Sequence, residues 1–423
     1  MKLFDELQKR GFIDRMTHEE LPEKLNNGGL TFYVGFDPTA DSIHVGHFAM
    51  FNLMRILQKH GHMPIGLMGG GTGMIGDPGG KSAERNLLSQ KEIEANIAGI
   101  KGQLARFLDF EKGNKAILVN NYDWLGKFNL IDFLRDIGKH FSVNAMITRE
   151  SVKNRLNREG EGISYTEFSY MLLQAYDFYQ LNEKYDCVLQ LGGSDQWGNI
   201  VSGIDLTRRM ANRQTYGITI PLITKADGKK FGKSELGTVW LSAEKTSPYE
   251  FYQFFLNQAD EDVIRFLKVF TELDLDEIEE LEESVRTEPH KRLAQKRLAE
   301  EATRVAHGEE ALEKAIKASR ALFGEKIENL DDELISQIFK DVPSIRIDKS
   351  RLKEGLSLID AFVESDISKS KGQARKLIQS GGAYVNNISQ KDVDYILTEN
   401  DLSSPSFLII RSGKKNYRLL SFG

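Results

Sequence analysis

Cysteine is nearly absent from this chain of 423 residues, which carries one, Cys187. A single cysteine excludes an internal disulfide and any zinc site built from several thiolates, and it points to a reducing compartment. No run of roughly 18 apolar residues occurs, so no membrane span is expected. The opening stretch Met1-Lys2-Leu3-Phe4-Asp5-Glu6 has no signal-peptide core and is not the acid-poor, Arg-rich kind that marks a transit peptide. A cytoplasmic protein is the expectation. Internal repeats and low-complexity tracts are missing too, which excludes a repeat array. What is present is ordinary for a soluble protein of two or three domains, with 40% hydrophobic and 28% charged residues.

The net charge of −6 is spread unevenly. Residues 344–423 hold 13 Lys+Arg against 9 Asp+Glu, a net of +4 that leaves −10 on the remainder. A basic tail on an acidic body suits a polyanionic partner, although a small domain can be basic without one.

Chemistry concentrates first around Phe36-Asp37-Pro38-Thr39-Ala40-Asp41-Ser42-Ile43-His44-Val45-Gly46-His47. Before it, Thr31–Phe36 reads as a buried strand. After it, Met50, Leu53, Met54 and Leu57 fall at the spacing of a helix face. The stretch is therefore a strand-to-helix turn, at the strand end where parallel α/β sheets bind ligands. Two imidazoles and a glycine at a helix start suit a phosphate, while a cap or a surface histidine is the plainer reading.

Met63–Met68 reads as a second strand, and a glycine-rich run, Gly69 to Ser82, follows it. Gly71-x-Gly73-x-x-Gly76 matches a dinucleotide fingerprint, but Asp77-Pro78-Gly79-Gly80 forbids the helix that fingerprint needs, which weighs against a dehydrogenase. Gly80-Lys81-Ser82 resembles the end of a P-loop, whose required first glycine falls on Ile75. A long loop remains, offering Asp77, Lys81 and Arg85 to a zwitterionic or phosphorylated ligand, or serving structure alone. A helix over about 90–110 leads to a third strand, Ala116–Val119.

Residues 124–163 read as helices outside the strand–helix alternation. Their dense apolar set (Trp124, Leu125, Phe128, Leu130, Ile131, Phe133, Leu134, Phe141) covers either a core of its own or a homodimer face. The helix Tyr165 to Tyr179 carries Tyr170, Gln174 and Asp177 on one stripe among apolar residues, as a pocket-lining helix does. Cys187–Leu191 is a fourth strand, ending in Gly192-Gly193-Ser194-Asp195-Gln196-Trp197, and Ile218–Ile223 is a fifth. The loop from Lys225 to Ser234 holds four lysines, suited to a transient polyphosphate or simply solvated. Helical amphipathic patterns fill Ser247 to about Gly324. A linker is expected over 326–350. The last module reads helix, helix, turn and strands, with a basic helix over Gln373–Ser380 closed by Gly381-Gly382.

Together these stretches resemble class I aminoacyl-tRNA synthetases. Pro38 to His47 is similar to their first signature (HIGH), and Lys230-Phe231-Gly232-Lys233-Ser234 to their second (KMSKS), about 180 residues later. Gly192 to Asn199 and the Tyr170/Gln174/Asp177 stripe resemble the bacterial-type tyrosyl-tRNA synthetase family, and the C-terminal module resembles its small RNA-binding fold. The resemblance spans essentially the whole chain. It implies a Rossmann-like catalytic domain over 1–230 with a helical dimer-interface insertion at about 124–163. It further implies a signature loop and α-helical anticodon-recognition domain over 231–325, and a small α+β RNA-binding domain over 351–423.

The resemblance also implies roles. Tyr33 and Asp177 would face the hydroxyl of bound L-tyrosine. A site built to hydrogen-bond a hydroxyl rejects the analogue lacking it, an argument for which selection of tyrosine over phenylalanine is itself the standard example. Asp77, Tyr170 and Gln174 would hold the α-ammonium group, with Gln196 near the carboxylate. Asp195 would bind the ribose, and Asp37 and Gly46 would also belong to the ATP site. Thr39, His44 and His47 would stabilise the reacting phosphates, while Lys81, Arg85, Lys230, Lys233 and Ser234 would line the pyrophosphate side. ATP enters as substrate with Mg2+ on its phosphates and no tightly held protein metal, and tRNA(Tyr) is the acceptor. Many members carry cysteine after the tyrosine numbered 33 here; this chain has Val34, which removes one ribose contact. A tryptophanyl enzyme is the rival within the class, opposed by Tyr33, Asp177 and the C-terminal module. A non-catalytic RNA-binding protein on a synthetase body is the rival outside it, opposed by the intact signatures.

Overall fold

The computed structural model describes residues 1–423 except 78–87, 150–151, 154–155, 157–161, 229–230, 235–236, 323, 329, 341 and 414–415. Two compact units emerge, one formed by Met1–Ser247 with Phe254–Ala306, the other by Pro248–Gln253 with His307–Gly423.

The first unit is built on six strands: β1 Arg15–Met16, β2 Thr31–Phe36, β3 Met63–Met68, β4 Ile117–Asn120, β5 Cys187–Gly193 and β6 Tyr216–Ile220. Their order is β1-β6-β5-β2-β3-β4. All neighbours are parallel except β1, which joins β6 antiparallel. The chain runs from β2 outward to β3 and β4, then returns to β5 beside β2 and runs outward the other way. The carboxyl ends of β2 and β5 thus form the switch point where open α/β sheets hold ligands. Buried positions run without alternation through β2, β3 and β6, as expected of strands covered on both faces. The last strand ends three residues before the sequence suggests, because Pro221 has no N–H to continue the ladder. The two-residue β1 is too short to be seen in a hydrophobic pattern.

The helix Phe48–Lys59 follows the first signature, and Tyr165–Tyr185 and Trp197–Ala211 flank β5. The region 231–325 does not form a domain of its own. Phe48 packs its ring on Phe255 and Phe270, and Phe231 on Phe255, Phe266 and Phe270, so this aromatic cluster binds the first part of the helical region into the sheet-bearing unit.

In the second unit, β9 Ser344–Ile347, β11 Ala383–Val385, β12 Ile388–Gln390, β14 Phe407–Ser412 and β15 Asn416–Phe422 make a sheet ordered β12-β11-β14-β15-β9. The strands β10 Leu356–Ser357 and β13 Ile396–Leu397 pair separately. The expected linker over 326–350 is corrected. Its helix Asp332–Ile338 buries Leu334, Ile335 and Ile338 in one core with Ile409 and Leu419, and β9 pairs with β15 in parallel. The acidic run Asp331-Asp332-Glu333 that suggested a linker is a helix start, with Asp331 accepting the Leu334 N–H.

Candidate active site

A cavity of about 440 Å3 opens at the carboxyl ends of β2 and β5. It is lined by Tyr33, Asp37, Thr39, His44, Gly46, His47, Asp77, Tyr170, Gln174, Asp177, Asp195 and Gln196, so the fold gathers most of the expected residues in one place. Lys81, Arg85 and Lys230 lie outside the described residues. Lys233 and Ser234 form a two-residue strand, β7, paired with β8 Gly237–Thr238.

The deep end is a hydrogen-bonded carboxylate. Asp177 is 1% exposed and accepts from Trp124 Nε1 at 2.7 Å and from Asn121 Nδ2 at 2.9 Å. Burial pushes its carboxyl up to about 7, against the downward pull of those two donors. Beside it the Tyr33 hydroxyl is buried with no hydrogen-bond partner, and burial followed by the Asp177 charge keeps that phenol neutral. Gln190, on β5, likewise has an unpartnered buried Oε1 and lines the same cavity. Buried polar atoms normally find partners, so two orphans facing one cavity mark where a polar ligand group belongs.

The network continues to the middle of the cavity. Asn121 Nδ2 donates to Thr72 Oγ1 at 2.9 Å, Thr72 Oγ1 to Asp37 Oδ1 at 2.8 Å, and Tyr170 Oη to Asp37 Oδ2 at 2.9 Å. Asp37, expected on the nucleotide side, therefore stands in the same network as Tyr170. A Cβ at residue 69 would sit 2.2 Å from Asp37 Oδ1, so Gly69 is what lets this carboxylate reach across the end of β3. On the opposite wall Gln196 Nε2 donates to Asp77 Oδ2 at 2.6 Å and Asp195 Oδ2 at 3.0 Å, and Gln174 Nε2 donates to Gln196 Oε1 at 3.2 Å. Asn199 Nδ2 holds Gln174 Oε1 at 2.9 Å.

The mouth is formed by the first signature. His44 caps the 3-10 turn Val45–His47, its Nδ1 accepting the Gly46 N–H at 3.1 Å. That acceptance fixes the tautomer with the proton on Nε2. A Cβ on residue 46 would lie 2.8 Å from the His44 ring, so Gly46 is required for the ring to lie over its own turn. The two imidazoles sit with centroids 4.1 Å apart. Burial among the cavity walls, then the neighbouring His44, pulls His47 below the usual histidine range, although its ring stays open to the cavity. At neutral pH it is an uncharged hydrogen-bonding group.

Sequence reading missed Thr72, Asn121, Trp124, Gln190 and Asn199. Asn121 carried a signal, since a polar residue directly after a strand of such a sheet stands at the ligand-binding edge. Trp124 was counted as apolar, and its indole N–H does the work here.

The sheet order, the switch-point cavity and the histidine-bearing turn match a known group. Residues 25–324 fit the family model for tRNA synthetases class I (W and Y), and the chain belongs to that family. Residues 334–420 fit the model for the tyrosine–tRNA ligase SYY-like C-terminal domain. The chain is 54% identical over 421 residues to tyrosine–tRNA ligase 2 of Enterococcus faecalis, covering 99% of both chains. It is 54% identical over 427 residues to tyrosine–tRNA ligase of Geobacillus stearothermophilus, covering 100% of both. Among solved structures, a C-terminally truncated mitochondrial tyrosyl-tRNA synthetase of Aspergillus nidulans matches with TM-score 0.69 and 31% identity, over 76% of this chain and 94% of that one. Within the class, the chain falls with the tyrosine–tRNA ligases.

Proposed function

We propose that the cavity at the ends of β2 and β5 is where this tyrosine–tRNA ligase joins L-tyrosine to ATP and then passes it to the 3′ end of tRNA(Tyr). The single observation that supports it best is the orphaned Tyr33 hydroxyl beside the buried Asp177. A phenolic hydroxyl placed there donates to Asp177 and accepts from Tyr33, satisfying what the free protein leaves unpaired. Asp77, Tyr170 and Gln174 then take the α-ammonium group, and Gln196 lies by the carboxylate. In the reaction a carboxylate oxygen of tyrosine attacks the α-phosphorus of ATP, and the bond to the β-phosphate oxygen breaks, releasing pyrophosphate with its Mg2+. Asp195 and Gly46 hold the nucleoside, Thr39, His44 and His47 the reacting phosphates, and Lys81, Arg85, Lys230, Lys233 and Ser234 the leaving group. Positioning and fixed hydrogen-bond donors supply the acceleration, with no general base required. A ribose hydroxyl at the tRNA end then attacks the carbonyl carbon and AMP leaves. The basic C-terminal module is read as the tRNA-binding part, and the helical region before it as reading the anticodon.

A homodimer is part of the same reading. Leu130, Ile131, Leu134, Val143 and Ile147 are exposed on the helical insertion, whereas its Trp124, Phe128, Phe133 and Phe141 serve the core beneath. An exposed apolar set of this kind on a cytoplasmic protein needs a cover. Ile131→Asp with Leu134→Asp should give a monomer by light scattering at micromolar concentration; an unchanged mass places the interface elsewhere. Amino-acid-dependent ATP–pyrophosphate exchange, comparing tyrosine, tryptophan and phenylalanine, tests the site. Exchange with tyrosine alone is expected, and exchange with tryptophan would overturn the roles of Tyr33 and Asp177.

A further inference from the structure

The first signature is not held by its own turn alone. Val45 N–H donates to the Val239 carbonyl at 2.9 Å, Leu241 N–H to the Ile43 carbonyl at 2.8 Å, and Val239 N–H to the Gly232 carbonyl at 3.0 Å. His44 and Trp240 face each other across an antiparallel bridge. The segment Val239–Leu241 is thus hydrogen-bonded to the histidine turn on one side and to the second signature's Gly232 on the other. Gly232 takes φ of +99°, and a Cβ there would come within 3.1 Å of Val45 Cγ1 and 3.3 Å of the Gly46 nitrogen. At residue 232 the approach to the histidine turn leaves little room for a side chain.

At the centre of this junction the Trp240 ring meets the His44 ring edge-on, centroids 6.2 Å apart at 72°. Trp240 is itself held firmly. Its backbone N–H donates to Thr246 Oγ1 at 3.0 Å, and the Lys245 ammonium lies 5.2 Å over its ring while pairing with Asp41 Oδ1 at 2.6 Å. Asp41 and Lys245 therefore close a ring of contacts around it, joining the start of the first signature to the residue that carries the cation. An imidazole with one nitrogen fixed by the Gly46 N–H can still tilt about its χ angles, and an aromatic ring packed against it at a steep angle restricts that tilt.

We propose that Trp240 is a positioning residue for the adenylyl-transfer step. It sets the plane of the His44 ring, and the segment bearing it makes the two signatures move as one body. The inference rests on the proposed role of His44. A ring tilted by a fraction of an ångström at the atom that meets the transition state costs rate rather than substrate binding, because only the transition state reads the donor's direction.

The test uses the full-length chain with Trp240→Ala, Trp240→Phe and His44→Asn, and the first two again in the His44→Asn background. Equilibrium binding of tyrosine and kcat and KM for ATP in tyrosine-dependent exchange are measured for each. Trp240→Ala is expected to lower kcat by about 10- to 100-fold with tyrosine binding unchanged, the scale of a small misplacement. Trp240→Phe should restore most of it. In the His44→Asn background neither change should cost more than about twofold, since residues acting through one another are not additive. Equal losses in both backgrounds, or parallel loss of tyrosine binding, would overturn the proposal. If Trp240→Ala does not fold, Trp240→Leu, which keeps bulk but has no aromatic ring, takes its place in both backgrounds. The same loss is expected beside His44 and the same absence of loss in the His44→Asn background; equal losses in both would overturn the proposal. A His44→Asn protein with full exchange would instead sink the role of His44, and this inference with it.

Discussion

The two ends of the cavity are prepared by one physical effect with opposite results. At the deep end, loss of water raises the Asp177 carboxyl to about 7. At the mouth, the crowding walls lower the His47 imidazole. Desolvation disfavours charge of either sign, so it moves an acid up and a base down. The difference lies in what each end does about it. Asp177 is given two buried donors, Trp124 and Asn121, that favour its ionised form. The histidines are given each other and a backbone N–H. In the proposed reading, the deep end offers a bound hydroxyl a carboxylate already held by two donors, and the mouth offers the phosphates an imidazole, His47, that is uncharged at neutral pH.

The contrast is broken most severely at the mouth. His47→Ala should lower kcat for tyrosine-dependent exchange by about 100- to 1000-fold, the usual cost of removing one transition-state donor. Tyrosine binding by equilibrium dialysis should stay within twofold, since the deep end is intact. If binding weakens as much as kcat falls, the two ends are not separable. The next largest effect belongs to Asp177→Ala. It removes the acceptor for a bound hydroxyl and leaves Trp124 Nε1 buried without its acceptor, at about 1–3 kcal/mol, while Asn121 Nδ2 keeps its bond to Thr72 Oγ1. The preference for tyrosine over phenylalanine, measured as the ratio of kcat/KM in exchange, should fall by about 10- to 100-fold. An unchanged ratio would remove Asp177 from specificity.

A third prediction concerns pH. A carboxyl titrating at about 7 is about one-tenth ionised at pH 6 and nine-tenths at pH 8. Tyrosine binding by calorimetry should therefore tighten by up to about tenfold over that range, and Asp177→Asn should flatten it. Stability of the free protein runs the other way. The folded carboxyl keeps its proton to about 7 whereas the unfolded one loses it near 4, so this group's contribution falls as pH rises between those values. Denaturant unfolding of wild type and Asp177→Asn at pH 5 and pH 8 checks the sign.

The same contrast explains what the sequence could disclose. The mouth is contiguous, with Pro38 to His47 forming one turn whose residue types and helix-start position can be read directly. The deep end is assembled from β2, the residues after β4, and the helix Tyr165–Tyr185, so only the stripe of Tyr170, Gln174 and Asp177 was visible, through helical spacing. Asn121 and Trp124 meet Asp177 from 56 and 53 residues away, and no local pattern encodes that. Four inner strands were legible because uninterrupted apolar runs mark a sheet covered on both faces. The stretch 326–350 was misread for the converse reason. Its apolar residues, spaced by acidic ones, share a core with Ala318 and Ala321 and with Ile409 and Leu419 of β14 and β15, the last two far along the chain.

The smallest effect expected is also the sharpest probe of the boundary between the two ends. Val34 follows Tyr33 on β2, is 3% exposed and lines the cavity, yet offers no hydrogen-bonding atom. Tyr33 faces the deep end, and strand alternation turns the next side chain toward the other face of the sheet. A change at 34 should therefore speak to the nucleotide without disturbing tyrosine. Val34→Cys replaces a branched methyl pair by a weak thiol donor, and a neutral hydrogen bond nets about 0.5–1.5 kcal/mol, with a thiol at or below the low end. KM for ATP should accordingly fall by no more than about threefold, with tyrosine binding unmoved. A shift in tyrosine affinity instead would show that β2 transmits between the ends, and that the division drawn from Asp177 and His47 is one of charge alone.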